Sequence, residues 1–142
     1  MKKIRHELIE HQEVFKKNFN LIEKNILKIS QIIKRTFKKN GIIYMAGNGG
    51  SATDSQHFVA ELLGRYKKNR KPYSAVSLSS DIGTITCIAN DFGYEAIFAR
   101  QLEALAKKKD LLCVFSTSGN SDNIIQVLKK AKIMNITTVA FL

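Results

Sequence analysis

Short apolar runs alternate with helix-patterned segments along residues 41–142, and no other feature constrains the fold as much. Ile42 to Ala46, Ser74 to Leu78, Leu111 to Phe115 and Thr137 to Leu142 read as strands. Between them, four segments read as helices: residues 52–64, about 81–89, the stretch carrying Ala96, Phe98, Leu102 and Leu105, and the stretch carrying Ile124, Ile125, Val127 and Leu128. Asn90-Asp91-Phe92-Gly93 reads as a turn. Strands that are apolar throughout, each followed by a helix, bury both faces only in a parallel sheet covered on both sides. The chain ends inside the last strand, where a doubly wound sheet ordinarily continues into a covering helix. It therefore reads as a fragment, or as a protein lacking its C-terminal end.

Residues 4–37 contain neither Gly nor Pro, and apolar residues recur at Phe15, Phe19, Ile22, Ile26, Ile29 and Ile33, with Leu8 seven residues before the first. Alternating steps of four and three make a helical stripe with coiled-coil-like spacing. Thirty-odd residues in one straight helix reach about 50 Å at 1.5 Å per residue, longer than a domain of this size needs. The helix is expected to bend or break near Asn18 to Asn20, or to pack part of its length on another subunit. Asn40-Gly41 reads as its stop. The organisation expected is one domain over residues 1–142, with an N-terminal helical arm (1–40) and an α/β core (41–142).

Composition narrows the class. Hydrophobic residues at 44% and charged residues at 25% exclude a disordered tail and a collagen-like chain. No apolar run exceeds five residues, against roughly 20 for a membrane-spanning helix, and no apolar stretch follows the basic start as a secretory signal requires. The net charge is +11, and residues 1–40 hold eleven bases against four acids. Such a balance suits nucleic acid, an anionic surface or a small anionic substrate. Trp is absent and no aromatic residues interleave the basic clusters, which argues against nucleic acid. Lys67-Lys68-Asn69-Arg70-Lys71 and Lys107-Lys108-Lys109 read as solvated loops. Cys87 and Cys113, each among apolar neighbours, read as buried free thiols of a reducing compartment, hence a cytoplasmic protein.

Two loops follow strands and open helices, which places both at the carboxyl edge of the sheet, where open α/β folds bind ligands. Gly47-Asn48-Gly49-Gly50-Ser51 lacks the Lys-Ser/Thr pair of a Walker A loop and the spacing of a dinucleotide fingerprint. Its glycines let the backbone approach a ligand, although a tight turn accounts for them equally well. Ser116-Thr117-Ser118-Gly119-Asn120-Ser121 is more specific. Four hydroxyls at a helix start can surround a phosphate together with the helical N–H groups, whereas capping the helix needs only one, from Ser118 or Ser121. Asp54, His57 and Glu61 share a face of the helix after the first loop; a His and a Glu four residues apart can bind one metal or move a proton together. Chance pairing on an exposed helix face is the plain alternative.

Gly47 to Ser51, then Gln56-His57-Phe58-Val59-Ala60-Glu61-Leu62 with Gly64-Arg65-Tyr66, then Ala89 to Gly93, then Ser116 to Ser121 closely resemble the sedoheptulose 7-phosphate isomerase (phosphoheptose isomerase) family, bacterial proteins with a sugar-isomerase (SIS) domain. The resemblance runs in order through essentially the whole chain. It implies a three-layer α/β domain with a flavodoxin-like parallel sheet. It also implies that Ser116, Thr117, Ser118 and Ser121 hold a phosphate, and that Asn48, Gly49, Gly50, Asn90 and Asp91 line the sugar. His57 and Glu61 supply part of a zinc site, with Glu61 also the base that moves a proton between C1 and C2 through an enediol. The family's remaining Gln and His lie on a helix near its C-terminus, beyond residue 142. The implied activity converts sedoheptulose 7-phosphate to D-glycero-D-manno-heptose 7-phosphate for lipopolysaccharide or capsule, in a cytoplasmic homotetramer. The rival is a non-enzymatic relative that binds the bacterial replication initiator protein; it lacks the Glu at the place of Glu61.

Overall fold

The computed structural model describes residues 2–142, with elements in the order α1 (Lys2–Lys38), β1 (Ile43–Gly47), α2 (Gly50–Leu63), β2 (Ala75–Ser77), α3 (Ile82–Phe92), a 3₁₀ turn (Tyr94–Ala96), α4 (Ile97–Leu105), β3 (Leu111–Phe115), α5 (Asp122–Ile133) and β4 (Thr137–Phe141). They divide into two compact units, one ending at Ile32 and the other spanning Ile33–Leu142. The first is helical throughout. The helix continues through Asn18 to Asn20, where the Asn18 amide donates to the Val14 carbonyl one turn back at 2.8 Å. Leu8, Phe15, Phe19 and Ile26 of the apolar stripe are exposed, and the Phe15 and Phe19 rings meet edge to face at 5.9 Å. Asn40, not Gly41, takes the left-handed conformation (φ 51°) that ends α1, and the Gly41 N–H closes the turn on the Thr36 carbonyl at 2.9 Å. Gly41 is required for another reason: a Cβ there would meet the Lys109 carbonyl at 2.5 Å.

The second unit is a parallel sheet of order β2-β1-β3-β4. Alternate side chains of each strand face opposite layers. Tyr44, Ala46, Leu112 and Val114 pack with Ile97, Phe98 and Leu102 of α4 and Ile124, Val127 and Ala131 of α5 in the main core. Ser77, beside Met45 in register, faces the other layer, where its hydroxyl meets that of Ser55 on α2 at 2.8 Å. The three layers follow from runs apolar on both faces, as the sequence predicts. Buried Asp110 fixes the chain at the amino edge: its carboxylate accepts from the Ile42 N–H (2.8 Å) and the Lys107 N–H (2.7 Å).

Two local expectations fail. Asn90, Asp91 and Phe92 belong to α3, which reaches Phe92; the turn is confined to Gly93, at φ 87°. Asp81 starts this helix by accepting from the Gly83 N–H at 3.1 Å and from the Thr84 hydroxyl, and the Thr84 side-chain bond foremost holds the Asp81 carboxyl below its ordinary range. Cys87 is exposed rather than buried, because α3 buries none of its residues fully; Cys113, inside β3, is buried. Both are free thiols. Among the described residues no helix is long and apolar enough to cross a membrane.

Candidate active site

The strand order places the site. The chain leaves β1 for β2 on one side, while β3 lies on the other, so the loops after β1 and β3 stand side by side at the carboxyl edge. That reversal of direction is where open α/β sheets form a ligand crevice. Gly47 and Gly49 shape the first loop. A Cβ on Gly47 would lie 2.4 Å from the Ser51 carbonyl oxygen, and Gly49, at φ 53°, turns the chain into α2. Ser79 ties this loop to the chain after β2, its hydroxyl accepting from the Gly47 N–H at 3.2 Å and donating to the Gly47 carbonyl at 2.9 Å.

The serine loop curls over the start of α5. The Ser116 hydroxyl oxygen accepts from the Gly119 N–H and that of Ser118 from the Asn120 N–H, each at 3.2 Å, and Gly119 is left-handed at φ 63°. Ser121 is the N-cap residue of α5, yet its side chain makes no capping bond. The capping role considered for these hydroxyls is therefore not the one Ser121 performs. A pocket of about 220 Å³ lies against Asn48, Ser51, Ser116, Thr117, Ser118 and Ser121. Both loops line it, and a helix N-terminus opens into it, an arrangement suited to an anion.

A larger pocket, about 580 Å³, adjoins it across Phe115, which lines both. Asp54, His57 and Glu61 all line it, so the helix face read from their spacing is a pocket wall. His57 Nε2 lies 3.4 Å from Glu61 Oε1, while Glu61 Oε2 is buried without a hydrogen-bond partner. A buried carboxylate oxygen left unpaired is costly and calls for a missing partner. An imidazole nitrogen beside a carboxylate is a donor pair that suits zinc. The two fit as half of a four-ligand shell; among the described residues no cluster of three or more His, Cys, Asp or Glu side chains forms. Phe58 and Phe115 belong to the apolar wall, and Phe141 backs it by stacking on Phe115 at 4.7 Å.

Asn90 and Asp91 do not join these pockets. They are exposed at the end of α3, where the Asn90 amide donates to the Asp91 carboxylate at 2.8 Å. Three residues passed over in the sequence do belong to the site. Asn123, 2% exposed, exchanges two hydrogen bonds with Asn48, and the Tyr94 hydroxyl donates to Asn48. Arg70, read as part of a solvated run, lines the larger pocket and grips the end of α2. No local pattern marks them, since their partners lie 8 to 75 residues away.

A parallel α/β domain whose serine loop faces a His-Glu helix across one crevice is the architecture of a phosphosugar-handling SIS domain, and the SIS-domain family model matches residues 8–142. The phosphoheptose isomerase of Helicobacter pylori is 46% identical over 137 residues, covering 96% of this chain and 71% of that protein. The phosphoheptose isomerase 1 of Campylobacter jejuni is 45% identical over 127 residues, covering 89% and 68%. The solved phosphoheptose isomerase of Neisseria gonorrhoeae superposes with a TM-score of 0.88 at 30% identity, over 98% of this chain and 72% of that one. The chain belongs to the phosphoheptose isomerase family of SIS-domain proteins. It is a sugar-phosphate isomerase, and these relatives lend nothing to the regulator reading.

Proposed function

We propose that the chain interconverts sedoheptulose 7-phosphate and D-glycero-D-manno-heptose 7-phosphate, the reaction that supplies heptose for lipopolysaccharide or capsule. The observation that carries the reading is the unpaired, buried Glu61 Oε2 in a pocket that adjoins the serine loop. With the phosphate on Ser116, Thr117, Ser118 and Ser121, the sugar chain extends past Phe115 toward α2, bringing its C1–C2 end over Glu61. Glu61 then takes the proton from one carbon and returns it to the other, the proton transfer through an enediol that aldose–ketose exchange needs. Fixing the phosphate orients the reacting end, an effect that supplies much of an enzyme's rate. Asn48, Gly49 and Gly50 line the sugar from the loop after β1, whereas Asn90 and Asp91, exposed at the end of α3, stand outside both pockets. His57 and Glu61 hold a zinc ion, which when bound supplies charge to stabilise oxygen anions developing on the substrate. The apolar stripe left exposed on α1 supports assembly, as a homotetramer, and the two free thiols support a cytoplasmic setting.

Calorimetric titration of sedoheptulose 7-phosphate into the protein and into Ser118→Ala/Ser121→Ala tests the phosphate assignment. Hydrogen bonds to a charged group contribute about 1.5–3 kcal/mol each, so the double variant should bind several kcal/mol more weakly at most. Unchanged affinity would remove the serine loop from the site.

A further inference from the structure

We infer that Tyr94 and Asn123 are positioning residues that lock the Asn48 side-chain amide so that its one free N–H serves an anionic ligand on the serine loop. The inference rests on the reading of that loop as the phosphate site, and adds to it a device outside the loop.

A primary amide offers two acceptor positions on oxygen and two N–H donors. Asn48 Oδ1 accepts from Asn123 Nδ2 at 2.8 Å and from the Tyr94 hydroxyl at 3.1 Å, so both acceptor positions are filled. Asn48 Nδ2 donates to Asn123 Oδ1 at 2.9 Å, which leaves one N–H. Asn48 lines the serine-loop pocket and also a second pocket of about 360 Å³, shared with Tyr94, Glu95, Ser121, Asp122 and Asn123. Asn123 sits in the first turn of α5, buried, with its amide oxygen and nitrogen both engaged by Asn48. The pair clamps the β1–α2 loop to the helix that the serine loop opens.

An unlocked asparagine turns over at little cost, presenting its carbonyl oxygen where its N–H stood. Toward a phosphate the oxygen repels and the N–H attracts. The reciprocal pair with Asn123 holds the amide plane from one side and the Tyr94 hydroxyl anchors it at a third point, so that an anion on the serine loop meets an amide already in place and selects the orientation that presents its N–H. Tyr94 reaches Asn48 from the 3₁₀ turn that follows Gly93, so the contact also joins the end of α3, with Asn90 and Asp91, to the first loop. Tyr94 is 56% exposed, so removing its hydroxyl leaves the core intact.

The test is a double-mutant cycle on inorganic phosphate affinity, measured by calorimetry for the unmodified protein, Tyr94→Phe, Asn48→Ala and the pair, with Ser118→Ala/Ser121→Ala as control. Coupled residues give non-additive effects. Tyr94→Phe should weaken phosphate binding about three- to tenfold, the range of one neutral hydrogen bond, and should have no effect once Asn48 is alanine. An equal loss in both backgrounds would mean that Tyr94 touches the ligand itself and overturns the inference, as does no loss in either. If Asn48→Ala binds too weakly to titrate, NMR decides: phosphate must shift the Asn48 side-chain amide signals, and Tyr94→Phe must reduce that shift. Phosphate binding that the serine variant abolishes but Tyr94→Phe leaves alone defeats this inference only. Absent or serine-independent binding defeats the loop reading, and this inference with it.

Discussion

Replacing Arg70 by alanine removes a fork that holds the end of α2. Its Nη2 donates to the Glu61 carbonyl at 2.6 Å and its Nη1 to the Leu62 carbonyl at 2.8 Å. These belong to the last turn of a helix, whose carbonyls have no intrahelical partner and whose partial negative charge favours a cation. The guanidinium also stacks on Tyr73 at 4.5 Å, and Tyr73 stacks in turn on Phe37 at 4.3 Å. A hydrogen bond from a charged group contributes about 1.5–3 kcal/mol, and an exposed cation–π contact about 0.5–1 kcal/mol. Arg70 is half-buried, so the low end of each range applies. The Leu62 carbonyl keeps its bond from the Tyr73 N–H at 3.1 Å, so the Glu61 bond and the stacking count in full and the second bond only in part. The loss expected for Arg70→Ala is about 2–3 kcal/mol. Lysine keeps the charge and loses the fork, so Arg70→Lys should fall between, at about 1–1.5 kcal/mol. Urea unfolding followed by circular dichroism measures both. In the isomerase assay kcat should fall more than KM rises, because the fork steadies the backbone of Glu61 and leaves the serine loop untouched. A loss below about 0.5 kcal/mol for Arg70→Ala, or an unaffected Arg70→Lys, would refute this account of the helix end.

Glu61→Gln keeps the shape and removes the base, so kcat should drop at least about a hundredfold with a smaller change in KM; near-normal turnover would move the base elsewhere, with Asp54 on the same pocket wall as the next candidate. A thiol reagent at mildly alkaline pH should label one cysteine quickly, because Cys87 is exposed whereas burial pushes the Cys113 thiol up to about 12. Cys87→Ser should abolish that fast phase, and its persistence would contradict the placement of α3. Burial foremost, and then the Asp110 charge, raise the Tyr44 phenol above its ordinary value of 10.0. The folded state therefore favours the neutral phenol, a contribution complete below that ordinary value and lost as pH climbs through the raised one. Alkaline absorbance titration should show a late-ionising tyrosine that vanishes in Tyr44→Phe, and no change on that substitution would count against the burial of its hydroxyl, which donates to the Leu105 carbonyl at 3.0 Å.

Much of the architecture was legible because it depends on local periodicity. Leu111 to Phe115 is apolar at every position, and a strand of that kind needs cover on both faces wherever it sits. The His57–Glu61 pair was legible for a similar reason, since four residues along a helix are neighbours whatever surrounds them. Likewise, four hydroxyls at the start of α5 point to an anion site before any coordinates are drawn. Residues defined by distant partners were not legible. Arg70 looks like one more cation in a basic run, and only the return of its loop past the end of α2 gives the fork its carbonyls. Asn123 and Tyr94 carry no signal in their own neighbourhoods, because the acceptor they share, Asn48, lies 75 and 46 residues away and comes within reach only when β3 pairs beside β1. Cys87 reads as buried among apolar neighbours, yet an apolar helix face is covered only if another element packs on it. Periodicity determines which residues share a face; what lies opposite that face depends on the order of strands in the sheet, which is settled by long-range packing.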